Sequence, residues 1–529
     1  MSKKFYVTTP IYYPSAKLHI GHAYCTTLTD ALARYNRLRG NETFFLTGSD
    51  EHGMKIEKNA LAANKDPQTF VDEIVASFKK LWKALDISND DFIRTTDERH
   101  VKTVQKIFSR LLAQGDIYLG NYEGWYCKEC EAFWTEIQAG EEHICPDCHR
   151  PVQKAQEESY FFKTSKYIDR LLKYYDEVLD FITPVSRKNE MINTFIKPGL
   201  EDLCVSRTSF KWGIQVVENP KHVIYVWLDA LTNYITALGY LQDDDSKFQK
   251  FWMDKDAQKV HILGADITRF HAIYWPMFLM ALDLPLPDRE FIHGLLMTKD
   301  GKMSKSKGNT IDPYPLIERY GLDTVRYYLC REVNFGSDGQ FTPEQFVERI
   351  NMDLANNLGN LLNRTVSMIN KYYGGVIPSF TTNVNGEFDH DVDQTIESGI
   401  QLYEGSFDDL RVTDAIIAAM NITARANKYI DETTPWVLAK LEDKAPLNAC
   451  MAHLARSLYV TATLLKPVLT HKADALLDQL GVPSDKRSYE DIHNVHILDG
   501  LTVNKGEPLF PRLDAAIEVP AIVEMMSKK

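Results

Sequence analysis

The sequence contains no long apolar segment. No run approaches about eighteen uncharged apolar residues, the length from which a helix can span a bilayer, so we expect no membrane span. The first residues show neither a signal-peptide nor a transit-peptide pattern. At 529 residues, 44% of them apolar, the chain can form roughly three or four domains with sizeable cores. These features predict a cytoplasmic protein.

Positive charge is also in short supply. The chain carries 60 Lys and Arg against 73 Asp and Glu, a net charge of −13. This balance argues against a general nucleic-acid-binding surface, although a local basic face could still hold RNA in a salt-dependent way. A G-x-x-x-x-G-K-[ST] segment is absent, so a P-loop is not the phosphate-binding device. Charge alone favours an enzyme that acts on a small molecule.

Cysteine is sparse, with eight in the whole chain. Four of them form two C-x-x-C pairs, and four thiolates in two such turns are typical of a tetrahedral zinc site. A thioredoxin-like redox pair is the alternative, but it needs a single C-x-x-C beside a βαβ pattern. The remaining four are scattered, which fits buried free thiols in a reducing compartment. The predicted zinc ligands are Cys127, Cys130, Cys145 and Cys148.

The first segment with a chemical signature is His19-Ile20-Gly21-His22. It lies between residues 5–13, which are rich in β-branched and aromatic residues and predict a strand, and a helical pattern over residues 21–39. Free N–H groups at a helix start favour an anion, so the two histidines can face one phosphate. Gly21 has no Cβ and would let the backbone and an adenine ring come close. A pair of surface histidines at a helix cap would give the same pattern.

A second segment follows about 280 residues later. Residues 259–265 and 290–297 read as strands, with a helix predicted over 268–282, and residues 298–309 then form a lysine-rich loop that includes Lys302-Met303-Ser304-Lys305-Ser306. Such a run is usually a solvated loop. Because this one leaves the carboxyl end of a strand, it could close over a pyrophosphate and neutralise charge as it departs. The two segments together predict an ATP site built from distant parts of the chain.

These two segments resemble the HIGH and KMSKS motifs of class I aminoacyl-tRNA synthetases. Five further segments resemble the methionyl-tRNA synthetase family, and the resemblance covers nearly the whole chain. It implies ATP-dependent ligation of L-methionine to tRNA(Met), the initiator tRNA included, through a methionyl-adenylate. A class I synthetase for another apolar amino acid and an inactive RNA-binding paralogue are the alternatives. The five segments are Ile11–Pro14, Thr47–Gly53, Tyr225–Ala230, Arg269–His271 and Asp431–Trp436.

The resemblance also implies which residues bind ATP and carry the reaction. No side chain would act as a nucleophile, since positioning and charge neutralisation suffice for adenylate formation. Mg²⁺ would enter with ATP. The catalytic residues implied are His19, His22, Lys302 and Lys305. The same assignment adds Gly21, Asp266, His293 and Gly294 to the ATP site.

A methionine site follows from the same resemblance. Asp50, at the end of a predicted strand, matches the family's ligand for the amino group, although a helix N-cap would use the same residue type. An apolar cage with aromatic edges suits a thioether, although aromatics at this density more often form core. Leu231 stands where some family members have proline, which would alter the pocket floor. The implied methionine-binding residues are Ile11, Tyr13, Asp50, Trp227, Leu231, Tyr234, Ile267 and His271.

The C-terminal half carries three residues that match the family's anticodon-reading positions, Asn360, Arg364 and Trp436. Asn360 and Arg364 are one helical turn apart, and Trp436 would stack a base. The pattern alone would equally suit a surface Asn and Arg, and a Trp that staples its helix to the core.

We therefore predict an α/β fold, with a Rossmann-like doubly wound parallel sheet split by an inserted zinc-knuckle connective domain and followed by an α-helical bundle. The final segment, residues 495–520, alternates weakly and predicts a strand or loop. Many family members carry a further C-terminal RNA-binding and dimerising domain, and this chain ends before one. We expect a monomer as the chain stands, with one structural zinc. The predicted domains are 1–117 (catalytic, first half), 118–222 (connective insertion with the zinc knuckle), 223–297 (catalytic, second half), 298–345 (KMSKS loop and linker) and 346–529 (anticodon-binding helices).

Overall fold

The computed structural model forms two compact units. Unit 1 comprises Met1–Leu18, Glu42–Trp82 and Asn89–His293, and unit 2 comprises His19–Asn41, Lys83–Ser88 and Gly294–Lys529. The structure describes residues 3–129, 132–134, 136–146, 148–299, 301–303, 310–333 and 336–527.

The strands of the described residues are β1 (Lys4–Tyr12), β2 (Glu42–Ser49), β3 (Asp91–Arg94), β4 (Ile117–Cys127), β5 (Ala132–Trp134), β6 (Gln153–Phe162), β7 (Ile182–Thr183), β8 (Leu203–Cys204), β9 (Ser206–Arg207), β10 (Val223–Ile224), β11 (Ala257–Gly264), β12 (Arg289–His293), β13 (Leu296–Thr298), β14 (Gly301–Lys302) and β15 (Gly339–Gln340).

The α-helices are α1 (Ile20–Leu38), α2 (Met54–Ala62), α3 (Pro67–Ala84), α4 (Glu98–Ala113), α5 (Glu136–Ala139), α6 (Ile168–Glu177), α7 (Val185–Glu190), α8 (Val226–Leu231), α9 (Asn233–Thr236), α10 (Ser246–Phe248), α11 (Trp275–Ala281), α12 (Pro313–Tyr320), α13 (Leu322–Glu332), α14 (Pro343–Arg349), α15 (Asn360–Tyr373), α16 (Glu387–Asp408), α17 (Val412–Thr433), α18 (Pro435–Leu438), α19 (Ala445–Leu465), α20 (Lys472–Gln479) and α21 (Ala515–Ser527).

A six-stranded parallel sheet is the centre of unit 1, in the order β3-β2-β1-β11-β12-β7. β1 pairs with β2 on one side and β11 on the other, so Lys4 lies opposite both Glu42 and Ala257. Phe5, Tyr6 and Val7 are all buried, as expected for a strand covered on both faces. The predicted parallel sheet is confirmed.

The edge strand β7 differs from the prediction. Ile182 and Thr183 lie within the segment assigned to the connective insertion, yet they pair in parallel with Glu290 and Phe291 of β12. A two-residue strand is too short to show any periodicity, so its place in the main sheet could not be read from the sequence. The rest of the segment forms a separate four-stranded antiparallel sheet in the order β5-β4-β6-β8.

Unit 2 is mainly helical. α16, α17 and α19 pack against one another, and α1 packs against α13. A buried ion pair joins α1 to α13, with Arg326 Nη2 2.7 Å from Asp30 Oδ2 and both side chains fully buried. Arg326 also donates to the carbonyls of Leu85, Pro467 and Val468, so its guanidinium is satisfied inside the core.

Two predicted elements, the strand over 290–297 and the loop over 298–309, are divided differently in the structure. The single strand over 290–297 ends at His293, and β13 belongs instead to a small sheet in the order β14-β13-β15. The start of the lysine-rich loop forms β14, which pairs with β13. After the loop, α12 and α13 are separated by Gly321, whose φ of +80° suits glycine but not other residues.

The C-terminal segment also differs from the predicted strand or loop. Thr502 makes an isolated bridge with Val376, and residues 515–527 then form helix α21, which contains Pro520. A proline inside a short, weakly amphipathic segment hid this helix from sequence reasoning. In the described part of the chain, no helix has both the length and the apolar character needed to cross a bilayer.

Candidate active site, metal centre and RNA-binding residues

The two histidines of the first motif form a reciprocal cap at the start of α1. The backbone N–H of Gly21 donates to His19 Nδ1 at 3.1 Å, and the backbone N–H of His19 donates to His22 Nδ1 at 3.1 Å. The ring centroids are 3.9 Å apart. Because an N–H can only donate, both Nδ1 atoms are acceptors, and each neutral ring carries its proton on Nε2. The cap therefore orients two Nε2–H donors at a helix N-terminus.

Gly21 has a local reason to be glycine. A Cβ at this position would lie 3.0 Å from Cε1 and 3.1 Å from Nδ1 of His19. The small residue thus lets the His19 ring fold over the first turn of α1. The sequence had suggested room for an adenine ring, and the structure adds this intramolecular requirement.

The second motif is described only in part. Lys302 is the last residue of β14, opposite Met297, and Lys305 lies outside the described residues. Gly294 precedes the small sheet, and a Cβ there would lie 1.8 Å from the Ser337 carbonyl oxygen. A close backbone approach therefore requires glycine at position 294.

In unit 1, two predicted ATP-binding residues lie together at the carboxyl ends of β11 and β12. Gly264 pairs with His293 in the sheet register. A Cβ at Gly264 would meet Asp266 Oδ1 at 2.8 Å and His293 Cε1 at 3.7 Å. Asp266 is exposed and His293 is buried. This is the edge of an open α/β sheet at which ligands usually bind.

The predicted apolar methionine residues of unit 1 lie in its hydrophobic core or pack against it. Leu231 and Tyr234 belong to the main hydrophobic cluster, and Ile11, Trp227 and Ile267 pack against it. The Trp227 ring stacks on Phe270, with centroids 3.3 Å apart and an interplanar angle of 7°. Tyr13 directly follows β1 and is half-buried. The predicted apolar residues Ile11, Trp227, Leu231, Tyr234 and Ile267, together with His271, are called the methionine cluster; they form part of the core of unit 1 or pack against it.

His271 is held in a single protonation state. Its Nδ1 lies 3.0 Å from the Ile267 carbonyl, which can only accept, so Nδ1 carries the proton. Nε2, 2.7 Å from Tyr234 Oη, then accepts from that hydroxyl. Burial lowers the pKa of His271 to about 4, against a smaller opposing effect of the Ile267 carbonyl. At neutral pH the cluster therefore contains an uncharged imidazole of fixed orientation.

Tyr234 is fixed at both ends. Tyr6 Oη donates to the Tyr234 carbonyl at 2.7 Å, and the Tyr234 ring lies 4.2 Å from the His261 ring. Trp275 Nε1 donates to His261 Nε2 at 3.1 Å, so His261 Nδ1 donates to Thr8 Oγ1 at 2.8 Å. Burial holds the pKa of His261 well below its usual value. Sequence reasoning missed His261, although its place on β11 beside β1 was available once the strand pairing was known.

Asp50 lies just beyond β2 with 8% of its surface exposed. Its backbone N–H donates to the Tyr12 carbonyl at 3.1 Å, at the end of β1. The alternative role as a helix N-cap is wrong, because Gly53 is the N-cap of α2 and no side chain caps that helix. A carboxylate at this position is not needed to start the next helix.

Three of the four predicted zinc ligands converge, and Cys130 lies outside the described residues. The Sγ atoms of Cys127, Cys145 and Cys148 all lie within 4.8 Å of one another, with Cys127 and Cys148 3.5 Å apart. Zinc–thiolate bonds of about 2.3 Å in a tetrahedron place sulfur atoms about 3.8 Å apart. Cys127 and Cys145 are fully buried. The donor set fits a metal ion.

Arg269 joins the cysteine-containing sheet to the methionine cluster within unit 1. Its guanidinium carbon lies 4.0 Å from the ring centroid of Trp134, on β5, and 4.5 Å from that of Phe270. The Phe270 ring in turn stacks on Trp227. Arg269 and Phe270 were seen in the sequence only as part of a motif, and their packing role needed the structure.

The three predicted RNA-contacting residues lie in unit 2. Asn360 Nδ2 is 3.3 Å from Asn427 Oδ1, and Arg364 Nη2 is 3.2 Å from Asp431 Oδ1, so both side chains lie along α17. Trp436 is in α18, five residues after Asp431, and 46% of its surface is exposed. An exposed fraction of this size argues against a tryptophan whose sole role is to hold its helix to the core.

The chain is similar to known proteins along its whole length. A family model described as tRNA synthetases class I (M) matches residues 5–157 and 150–366, and one described as the anticodon binding domain of methionyl tRNA ligase matches residues 378–516. Methionine–tRNA ligases of Halalkalibacterium halodurans and Bacillus subtilis are each 56% identical; the first match covers 100% of this chain and 81% of the relative, the second 98% and 79%.

A solved structure gives the same result. Methionyl-tRNA synthetase of Mycobacterium tuberculosis bound by methionyl-adenylate matches with a TM-score of 0.90 and 41% identity, over 96% of this chain and 100% of that one. The chain therefore belongs to the class I tRNA synthetases, in the methionyl group.

Proposed function

We propose that this chain ligates L-methionine to tRNA(Met), the initiator tRNA included, in a reaction that consumes ATP and passes through methionyl-adenylate. The observation that carries the proposal is similarity over nearly the whole chain to enzymes named methionine–tRNA ligase, at 54–56% identity. The described residues of unit 1 support it with apolar and aromatic side chains suited to a thioether and with the buried Asp50 carboxylate just beyond β2.

Methionine is assigned to unit 1. The Asp50 carboxylate accepts hydrogen bonds from the substrate ammonium group, and the methionine side chain enters the cluster around Trp227 and Tyr234. The Tyr234–His271 hydrogen bond fixes the His271 ring, and burial lowers its pKa so that the ring is neutral and no charge faces the thioether. The remaining contacts are assigned to Ile11, Tyr13, Leu231 and Ile267.

ATP is assigned to residues of both motifs. The Nε2–H groups oriented by the His19–His22 cap donate to phosphate oxygens, aided by the N-terminus of α1. Lys302 and Lys305 neutralise the departing pyrophosphate. Gly21, Asp266, His293 and Gly294 complete the proposed contacts with the nucleotide, which arrives with Mg²⁺.

The chemistry needs no protein nucleophile. An oxygen of the methionine carboxylate attacks the α-phosphorus of ATP, the bond from that phosphorus to the bridging oxygen breaks, and pyrophosphate leaves with the electron pair. A ribose hydroxyl at the tRNA 3′ end then attacks the methionyl carbonyl, loses its proton and displaces AMP. In both steps the residues act by positioning the reactants and by stabilising negative charge.

Zinc is the metal we propose for the cysteine cluster, one ion per chain, held by Cys127, Cys130, Cys145 and Cys148. It would cross-link the end of β4 to the 145–148 turn and so serve a structural purpose.

Asn360, Arg364 and Trp436 are proposed to read the anticodon, with Trp436 as a stacking platform. We also propose that the five domain segments predicted from the sequence have the functions assigned to them there.

We further propose that the chain acts as a monomer in the cytoplasm. The scattered positions of Cys25, Cys204, Cys330 and Cys450, all of them buried, suit a reducing compartment. Light scattering of the purified chain would test the oligomeric state, with a mass near 60.7 kDa expected for a monomer.

Amino-acid-dependent ATP–pyrophosphate exchange, run with a panel of amino acids, tests the proposal most directly. Methionine should be activated well above norleucine and far above valine, because valine leaves the cluster half empty and each missing methylene is worth about 1–3 kcal/mol. Better activation of valine or leucine would identify another specificity. No exchange with any amino acid, by protein that still binds tRNA, would identify an inactive paralogue.

A further inference from the structure

The loop that carries Asp50 is held on one side by Glu51. Glu51 is fully buried, and Arg94 donates to both of its oxygens, from Nε at 2.6 Å and from Nη2 at 2.8 Å. Thr96 Oγ1 donates to Glu51 Oε2 at 2.6 Å, and Thr95 Oγ1 accepts from the Glu51 backbone N–H at 2.8 Å. One neighbour of Asp50 is thus fixed to the end of β3.

On the other side of Asp50, the loop is held by His52. His52 Nδ1 lies 2.7 Å from Asp229 Oδ2, and the His52 ring meets the Trp212 ring edge-on with centroids 5.5 Å apart. Trp212 Nε1 donates to the Glu51 carbonyl at 2.6 Å, and its own carbonyl accepts from Gly53 N–H at 3.0 Å. The loop therefore has an anchor on each side of Asp50.

Asp229 is the centre of the second anchor. Its other oxygen, Oδ1, lies 2.8 Å from His100 Nε2, and His100 Nδ1 lies 2.7 Å from Thr236 Oγ1. Asp229 and His100 are both fully buried. Burial alone would raise the pKa of Asp229, but His52 and His100 hold it below its usual value, so the carboxylate is charged and shared by two imidazoles.

This carboxylate also holds the helix of the methionine cluster. Asp229 lies in α8 between Trp227 and Leu231, two residues from each, so it projects from a different face of the helix. α8 has only six residues and no side-chain N-cap, and so short a helix depends on tertiary anchors. One buried group therefore connects the loop of the amino-group ligand to the helix of the side-chain pocket.

We infer that Asp229 is a positioning residue for methionine: through His52 and His100 it sets the position of the Asp50 carboxylate relative to Trp227 and Leu231. The ligand of the amino group and the pocket for the side chain are therefore held at a fixed separation. The inference rests on the proposed function, because it takes Asp50 as the ligand of the amino group. Neither His52, His100 nor Asp229 is assigned to contact the substrate.

Two variants test the link at its two ends. Asp229→Asn keeps the shape but cannot accept from both imidazoles, and His52→Phe keeps a ring against Trp212 but cannot donate to Asp229. Each should raise the methionine KM in pyrophosphate exchange by about 10- to 100-fold, the scale expected when a binding group is displaced by about 1 Å. The KM for ATP should stay within about twofold. His52→Asn, whose amide N–H can replace Nδ1–H, should restore most of the lost affinity.

A substrate analogue separates positioning from general loss of structure. 4-(Methylthio)butanoic acid is methionine without its amino group, so its inhibition constant does not depend on Asp50. In both variants this constant should change less than about threefold while the methionine KM rises. The double variant should lose no more than either single one, because both break the same link.

Asp389→Asn is the matched control. Asp389 is a fully buried carboxylate of unit 2 that accepts from Tyr429 Oη at 2.5 Å and from the backbone N–H of Asn385 at 2.9 Å. The Asp389→Asn variant should have a lower melting temperature, but the ratio of its methionine KM to the inhibition constant of the analogue should equal that of the wild type.

The outcomes distinguish the inference from the function on which it rests. Equal losses for methionine and the analogue, or an unchanged methionine KM in the His52→Phe variant, would overturn the inference while wild-type exchange upholds the function. Absence of methionine-dependent exchange by the wild type would overturn the function itself, and the positioning role with it. If Asp229→Asn does not fold, the His52→Phe and His52→Asn pair decides.

Discussion

The methionine cluster and the residues proposed to bind RNA differ in how far their side chains are buried and fixed by other parts of the protein. In the cluster, Tyr234 is 1% exposed and its hydroxyl, its carbonyl and its ring all have partners. In the helical unit, Trp436 is 46% exposed, and the Asn360 and Arg364 side chains lie on the surface of α17 at 3.3 and 3.2 Å from their partners.

The difference follows from the size of the ligand. A small amino acid offers few contacts, so specificity needs a rigid apolar site with few polar groups in fixed places. An RNA loop can splay its bases onto exposed platforms and can displace long surface hydrogen bonds at little cost. We therefore expect changes in the cluster to act on amino-acid activation and changes near Trp436 to act on RNA alone.

The largest effect should come from Asp50→Asn. It removes the charge that faces the substrate ammonium, and a hydrogen bond to a charged group is worth about 1.5–3 kcal/mol, so kcat/KM for methionine should fall by about 100-fold in pyrophosphate exchange. Asp244 is an exposed turn residue of the same unit, and the control variant Asp244→Asn should leave kcat/KM for methionine unchanged. An unaffected Asp50→Asn enzyme would mean that the amino group is bound elsewhere.

Trp436→Ala tests the other side of the comparison. Loss of one stacking platform should cost about 1–3 kcal/mol in tRNA recognition, measured as kcat/KM for tRNA in aminoacylation. Methionine-dependent exchange should be unchanged, and so should the melting temperature, because the ring is half exposed. Val437→Ala, 47% exposed in the same helix, provides the control. Parallel losses in exchange and aminoacylation would show that Trp436 maintains the fold.

Tyr234→Phe should have a smaller effect on the amino-acid side. The ring stays, but His271 Nε2 loses its donor and is left as a buried acceptor, which costs about 1–2 kcal/mol. The methionine KM should rise about tenfold while tRNA affinity is unchanged. If kcat for exchange falls instead and the KM holds, the hydroxyl contributes to the chemistry rather than to the shape of the cluster.

The smallest effect is expected from pH. With a pKa of about 4, His271 is neutral at pH 7 and remains mostly neutral at pH 5.5. Methionine affinity measured by calorimetry should therefore change less than about twofold between these values, whereas an ordinary imidazole with a pKa near 6.5 would become mostly charged. A tenfold loss by pH 5.5 would contradict the neutral assignment.

The same pKa has a consequence for stability. Because the folded-state pKa is lower than the unfolded one, the unfolded chain binds more protons between pH 6.5 and about 4. The contribution of His271 is fully present above pH 6.5 and is lost as the pH falls through this window, by up to about 3 kcal/mol. Buried His261, whose pKa is lowered by the same cause, adds in the same direction.

Much of the candidate site could be read from the sequence because its signals are local. The strand, loop and helix around His19 and His22 were predicted from periodicity, and β1 and α1 have nearly the predicted bounds. The two C-x-x-C pairs follow from spacing alone, and three of their sulfur atoms converge. The helical character of the C-terminal half likewise follows from a pattern that repeats every three to four residues.

Only the tertiary structure decided which residues hold these signals in place. His52 and Asp229 are 177 residues apart, Tyr6 and Tyr234 are 228 apart, and no period of 2 or 3.6 connects them. The ring protons of His19, His22 and His271 depend on which partner can only donate or only accept, and that is known once the neighbours are placed. The sequence by itself determined the reactive side chains and the local elements that bear them. Their orientation and protonation were decided by long-range packing, because burial and hydrogen bonding depend on what lies next to a side chain in space.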